Sequence, residues 1–156
     1  HADIFFYFAI PLQFLFFFWL LNQYENVKVK NNLALVSATI YLISLLTDQL
    51  YFRNASYWFS SFSYTIGNIL LLILILRLLF KLIRSDEIIA FKEIMMFWVA
   101  SGIMIFYLGT LPYYGMLNTL SATFGPAINV YWYIQIILNC IMYLLFTLSF
   151  IWGKPK

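Results

Sequence analysis

Five long apolar runs, at 4–22, 33–50, 62–82, 94–111 and 130–152, alternate with short polar or charged links. A helix that crosses a bilayer needs about 20 mostly apolar residues, and each run is close to that length. The runs are unbroken, unlike the ten-residue alternating segments of a membrane barrel, so helices are predicted rather than strands. The pattern therefore predicts an all-α polytopic transmembrane bundle with five spans in one helical domain over 1–156. It shows no internal repeat and leaves no stretch for a soluble domain.

Composition supports the same reading. The chain is 64% hydrophobic, 22% aromatic and 10% charged, with a mean hydropathy of +0.88. Soluble domains are about 45–50% apolar and about 25% charged, so an ordinary water-soluble fold and a disordered chain are both excluded. A net charge of +3 would suggest nucleic acid in a soluble protein. Here the basic residues fall near helix ends, so no nucleic-acid partner is expected. If the first span starts outside, the inner side collects Lys28, Lys30, Arg77, Lys81, Arg84, Lys92, Lys154 and Lys156, leaving Arg53 alone outside. That eight-to-one split follows the positive-inside rule. It predicts an inner-membrane protein with a cytoplasmic C-terminus. Arg77, one turn inside its run, is expected to snorkel to the inner headgroups. Tyr51, Tyr57, Trp58, Tyr113, Tyr114, Tyr131 and Trp132 fit an outer aromatic belt. The run at 4–21 has neither a basic leader nor a small-residue cleavage site, so a span is expected there rather than a signal peptide.

Candidate chemistry is sparse. His1 is the lone histidine and Cys140 the lone cysteine, so no disulfide, metal site or cofactor is expected. Glycine-flanked serine, HExxH, P-loop and DxD patterns are missing, and most of the six acids lie at termini or links. No catalytic residues are assigned and a non-enzymatic role is predicted. What stands out is a set of uncharged polar residues at membrane depth: Gln13, Asn68, Gln135 and Asn139, with Tyr107. Gln135 and Asn139 lie one helical turn apart, with Tyr131 and Tyr143 extending the stripe. A buried amide needs a partner in hydrocarbon. These residues read either as helix-to-helix glue or as the lining of a pocket open to the outside.

Other features have structural readings. Asp48 reads either as a functional carboxylate or, the preferred reading, as an outer-interface residue paired with Arg53. Ala100, Ser101, Gly102 and Gly109 form a ridge that lets helices approach. Pro11 is expected to bend the first helix, and Cys140 to be a small buried hydrophobe. The uncharged link at 112–129 offers Tyr113, Tyr114, Met116 and Phe124 as an outer contact surface.

The segments IPLQF at 10–14, YTIGNI at 64–69, FWVASGI at 97–103, and 132–148 with its short basic tail resemble a group of small bacterial membrane proteins of about seven helices. Similar arrays occur as membrane sensor modules linked to histidine-kinase signalling. The resemblance implies that the chain corresponds to the last five helices, with two more before it, and it supplies no ligand. It also departs at Gln13, where the group tends to have a glutamate.

Taken together, the expected function is a non-enzymatic membrane sensor or adaptor with an outward-facing polar pocket. The alternatives are an accessory subunit of a larger membrane complex and a small-solute carrier. The expected partners are the lipid bilayer and other membrane proteins.

Overall fold

The computed structural model describes residues 8–26, 32–52, 61–84, 94–115 and 125–153. These form α1 (Ile10–Asn26), α2 (Leu33–Thr47), a π-helical turn (Asp48–Phe52), α3 (Ser61–Arg84), α4 (Met95–Gly115) and α5 (Gly125–Trp152). The architecture is all-helical, with no strand among the described residues. Four segments are long and apolar enough to cross a membrane: Leu33–Tyr51, Phe62–Arg84, Met95–Tyr114 and Val130–Trp152.

The predicted span at 4–22 is not among the four. The described α1 has 17 residues, and it ends in the polar stretch Asn22, Gln23, Tyr24, Glu25 and Asn26. Residues 4–7 of that run lie outside the described residues, and the described apolar part, π-helical at Phe8 and Ala9 and α-helical from Ile10 to Leu21, is by itself too short for a hydrocarbon core about 30 Å thick. Pro11 is the second residue of α1, just after the π-helical residues Phe8 and Ala9.

Two other boundaries moved outward. α4 runs through Pro112 to Gly115 instead of stopping at Leu111. A proline this close to a C-terminus disturbs only the last turn, and that turn carries Tyr113 and Tyr114 into ring contacts with Tyr131 and Tyr64. α5 begins at Gly125 rather than Val130, with Pro126 in the first turn, a favoured place for proline.

α1, α2 and α3 pack against one another, α4 packs on α3, and α5 packs on α4. The core includes Phe14, Phe18, Tyr41, Leu71, Ile75, Leu78, Ala100 and Ile103. Small residues set the closest approaches. A Cβ at Gly67 would meet the Tyr41 ring at 2.6 Å, one at Gly102 would meet Phe146 at 3.2 Å, and one at Gly109 would meet Leu138 at 2.6 Å. Of the predicted α4 ridge, Gly102 and Gly109 face α5. α5 itself is peripheral: 11% of Val130–Trp152 is buried, against 39% of Phe62–Arg84 and of Met95–Tyr114. Cys140 lies exposed on α5, not buried as expected.

Several serine and threonine hydroxyls on these apolar helices are satisfied within their own helix. Ser44 donates to the Tyr41 carbonyl at 2.7 Å, Thr47 to Ile43 at 2.9 Å and Ser149 to Phe146 at 2.7 Å. This back-bonding lets a serine or threonine sit in an apolar environment without a second partner.

Candidate functional site

The polar residues converge where the N-terminal half of α3 crosses the C-terminal half of α4. On α3, Tyr64, Asn68, Leu71 and Ile75 recur at helical spacing and are all buried; on α4, Ile103, Tyr107, Thr110 and Tyr114 do the same. The helices run antiparallel, so the polar half of one stripe faces the polar half of the other. Tyr64 pairs with Thr110 at 3.1 Å between hydroxyl oxygens, and Thr110 lies 3.4 Å from the Tyr107 carbonyl. Either hydroxyl can donate in the Tyr64–Thr110 pair. Asn68 Nδ2 donates to the same Tyr107 carbonyl at 2.9 Å. Asn68 Oδ1 is buried and has no hydrogen-bond partner, which leaves one acceptor open inside the seam.

Aromatic rings close this region from the α1 and α2 side. Phe14 is fully buried; its ring centroid lies 5.1 Å from Tyr41, 5.5 Å from Tyr64 and 5.2 Å from Tyr107. Such tilted and edge-on pairs contribute about 0.5–1.5 kcal/mol each beyond area burial. Phe14 therefore ties α1 to the other three helices of the core.

A second polar group lies on the α4–α5 seam. Gln135 Nε2 donates to the Tyr114 hydroxyl, and Asn139 Nδ2 donates to the Gln135 carbonyl one turn earlier at 3.1 Å. Tyr113 stacks on Tyr131 with centroids 5.3 Å apart. The two groups are joined by Tyr64 and Tyr114, whose rings lie 4.8 Å apart. A hydrogen-bonded and aromatic path thus runs from Asn68 on α3 through α4 to Gln135 on α5.

The five residues expected to line one pocket are distributed unevenly. Asn68 and Tyr107 meet in the α3–α4 seam, while Gln135 and Asn139 belong to the α4–α5 seam. Gln13 is half-buried on α1, beside Phe14 in sequence. Tyr143, the far end of the expected stripe, is exposed. Tyr114, expected on an outer contact surface, is instead buried, because the ring fills the space between Tyr64 and Gln135. Tyr113 is half-buried, and Phe124 and Met116 lie outside the described residues.

Asp48 has a role the sequence did not suggest. Its carboxylate accepts the Ser63 backbone N–H at 3.0 Å, satisfying one of the unpaired donors at the start of α3. The expected partner Arg53 lies outside the described residues. Tyr64, Thr110, Phe14 and Tyr41 were also missed as members of the site; the one available signal was the one-turn spacing of Tyr64 and Asn68.

Among the described residues no three His, Cys, Asp or Glu side chains come together to hold a metal ion. The seam is built of amides, hydroxyls and rings, which can accept hydrogen bonds, donate them and pack. No family model matches the chain, and no similar curated protein or solved structure is found.

Proposed function

We propose that the chain is the helical part of an integral inner-membrane protein that works without catalysis, as a sensor or adaptor module. The observation that carries this reading is the uncharged seam from Asn68 through Tyr107, Thr110, Tyr64 and Tyr114 to Gln135, which links three helices and leaves Asn68 Oδ1 open. Four helices with the length and hydropathy to cross a bilayer support the membrane setting. The charge count supports cytoplasmic basic ends. In this reading a shift of α4 against α3 changes the Asn68 and Tyr64 bonds, and the Gln135 bond carries the shift to α5 and its basic end. α5 packs chiefly on α4, which makes it the helix freest to transmit movement to a partner.

An accessory-subunit role is the second reading, favoured by the outer face of α5. Trp132, Tyr133, Ile137, Leu144, Phe150 and Ile151 are exposed there, a surface that suits acyl chains or a neighbouring helix.

Native mass spectrometry of the assembly, extracted from its own membrane in mild detergent, tests the proposal. A partner polypeptide retained in fixed stoichiometry, and weakened by Gln135→Leu, supports the adaptor reading. A partner retained regardless of Gln135→Leu and Asn68→Leu supports the subunit reading. A chain that is released from the membrane by alkaline carbonate, or that turns over a substrate alone, contradicts both.

A further inference from the structure

At the opposite end of α3 from the seam, Arg77, Phe80, Lys81 and Arg84 line a recess of about 640 Å³. The four positions follow the one-face spacing of a helix, with Arg77 half-buried and Phe80, Lys81 and Arg84 exposed. Over that span the three cations climb about 10 Å along the axis. The recess is shallow and open, and all four of its lining residues come from α3.

The helix dipole and the positive-inside rule account for basic residues in the last turn of α3, where Lys81 and Arg84 stand. Neither accounts for three cations on one face lining a single recess with an aromatic wall. The half-buried Arg77 with the exposed Lys81 and Arg84 beside it matches an anion with several oxygens, since arginine forks onto phosphate while lysine approaches as a point charge. Phe80 supplies apolar surface beside the charges, suited to the glycerol and first methylenes that accompany a headgroup.

We infer that this recess binds a phosphate anion, presented as the headgroup of an anionic phospholipid. Basic recesses of this kind on the cytoplasmic side of membrane helices hold such headgroups. The lipid source rests on the membrane reading above; the phosphate chemistry does not.

The test titrates the purified full chain in mild detergent with short-chain phosphatidylglycerol, with phosphatidylcholine of the same chain length, and with inorganic phosphate. Retained molecules are counted by native mass spectrometry. The expected result is one phosphatidylglycerol held about a hundredfold more tightly than phosphatidylcholine, the effect of three basic residues near an anionic group. The substitutions R77Q, K81Q and R84Q together remove that preference. The exposed pair K81Q and R84Q, which spares half-buried Arg77, removes about twentyfold of it. A control with K92Q, K154Q and K156Q, equal in charge, leaves it unchanged.

Displacement of the lipid by inorganic phosphate would identify a soluble phosphate as the ligand, and resistance would identify the lipid; both support the site. Equal retention of the two lipids would overturn it, as would an equal loss in the control variant. Release of the chain by alkaline carbonate would remove the lipid source while leaving phosphate binding by the recess measurable.

Discussion

Asn68 reaches across the α3–α4 interface to donate its amide to the backbone carbonyl of Tyr107 at 2.9 Å, while its own carbonyl oxygen, equally buried, accepts nothing. One half of the side chain is satisfied and the other is open. The two halves have opposite effects on stability, and this makes Asn68 the most informative position in the seam.

Replacement of Asn68 by Leu removes a net hydrogen bond worth about 1 kcal/mol, together with an unpaired carbonyl whose burial costs a similar amount. The expected change in thermal stability in detergent is within about 1 kcal/mol. Asn68→Asp places a carboxylate at the same buried point and is expected to cost several kcal/mol. Circular dichroism melts of the three proteins check this. A large loss for Leu with tolerance of Asp would mean that the carbonyl is engaged in the working protein.

Gly67 gives the Tyr41 ring its room. A Cβ there would lie 2.6 Å and 2.8 Å from two ring carbons, and Tyr41 is itself held by Phe14 and Phe18 at 5.1 and 6.0 Å. Alanine is about 1 kcal/mol better than glycine inside a helix, yet Gly67→Ala is expected to lose about 1–2 kcal/mol through overpacking. Adding Tyr41→Leu should recover part of the loss, and a double-mutant cycle measures the coupling.

Gly153 plays the matching part at the far end of the bundle. A Cβ at this position would come within 2.6 Å of Met95 Cα, a backbone atom that no rotamer change can move. Gly153→Ala is expected to separate the end of α5 from the start of α4 and to pull apart Trp98 and Trp152, whose rings lie 5.4 Å apart. Its cost should be about 1–3 kcal/mol. Tryptophan emission from Trp98 and Trp152, compared with the Trp152→Phe variant, reads the separation.

Asp48 secures the start of α3 through Ser63. Asp48→Ala is expected to cost about 0.5–2 kcal/mol, the usual range for a lost helix N-terminal acceptor, and Asp48→Asn less because it keeps an oxygen. Hydrogen exchange at the Ser63 amide should accelerate more in the alanine variant than in the asparagine variant. Equal exchange rates in all three proteins would count against the capping role.

Much of the fold could be read from the runs themselves. The helices around Leu42, Ile73, Ile103 and Ile137 were legible because each run is long, apolar and closed by a polar or charged link. The first run differs in that residues 4–7 lie outside the described residues, and its helix ends in the polar stretch from Asn22 to Asn26. Asn68, Gln135 and Asn139 could be picked out by type, since an amide in an apolar run needs a partner. Which partner could not. Helical periodicity assigns a face, but only the packing of α3 on α4 brings Asn68 to Tyr107, and only α5's seat on Gly102 and Gly109 brings Gln135 to Tyr114. The bond from the Ser63 N–H to Asp48 could not be read, because a backbone partner leaves no trace in the sequence.

The account stands on four helices crossing a membrane with their basic ends on one side. The direct measurement is labelling of single cysteines by a membrane-impermeant maleimide in intact cells, in a Cys140→Ser background. The account predicts that Tyr57→Cys reacts from outside, that Lys154→Cys reacts only after permeabilisation, and that the chain stays in the membrane pellet under alkaline carbonate. Labelling of Lys154→Cys in intact cells, or release of the chain by carbonate, would contradict it.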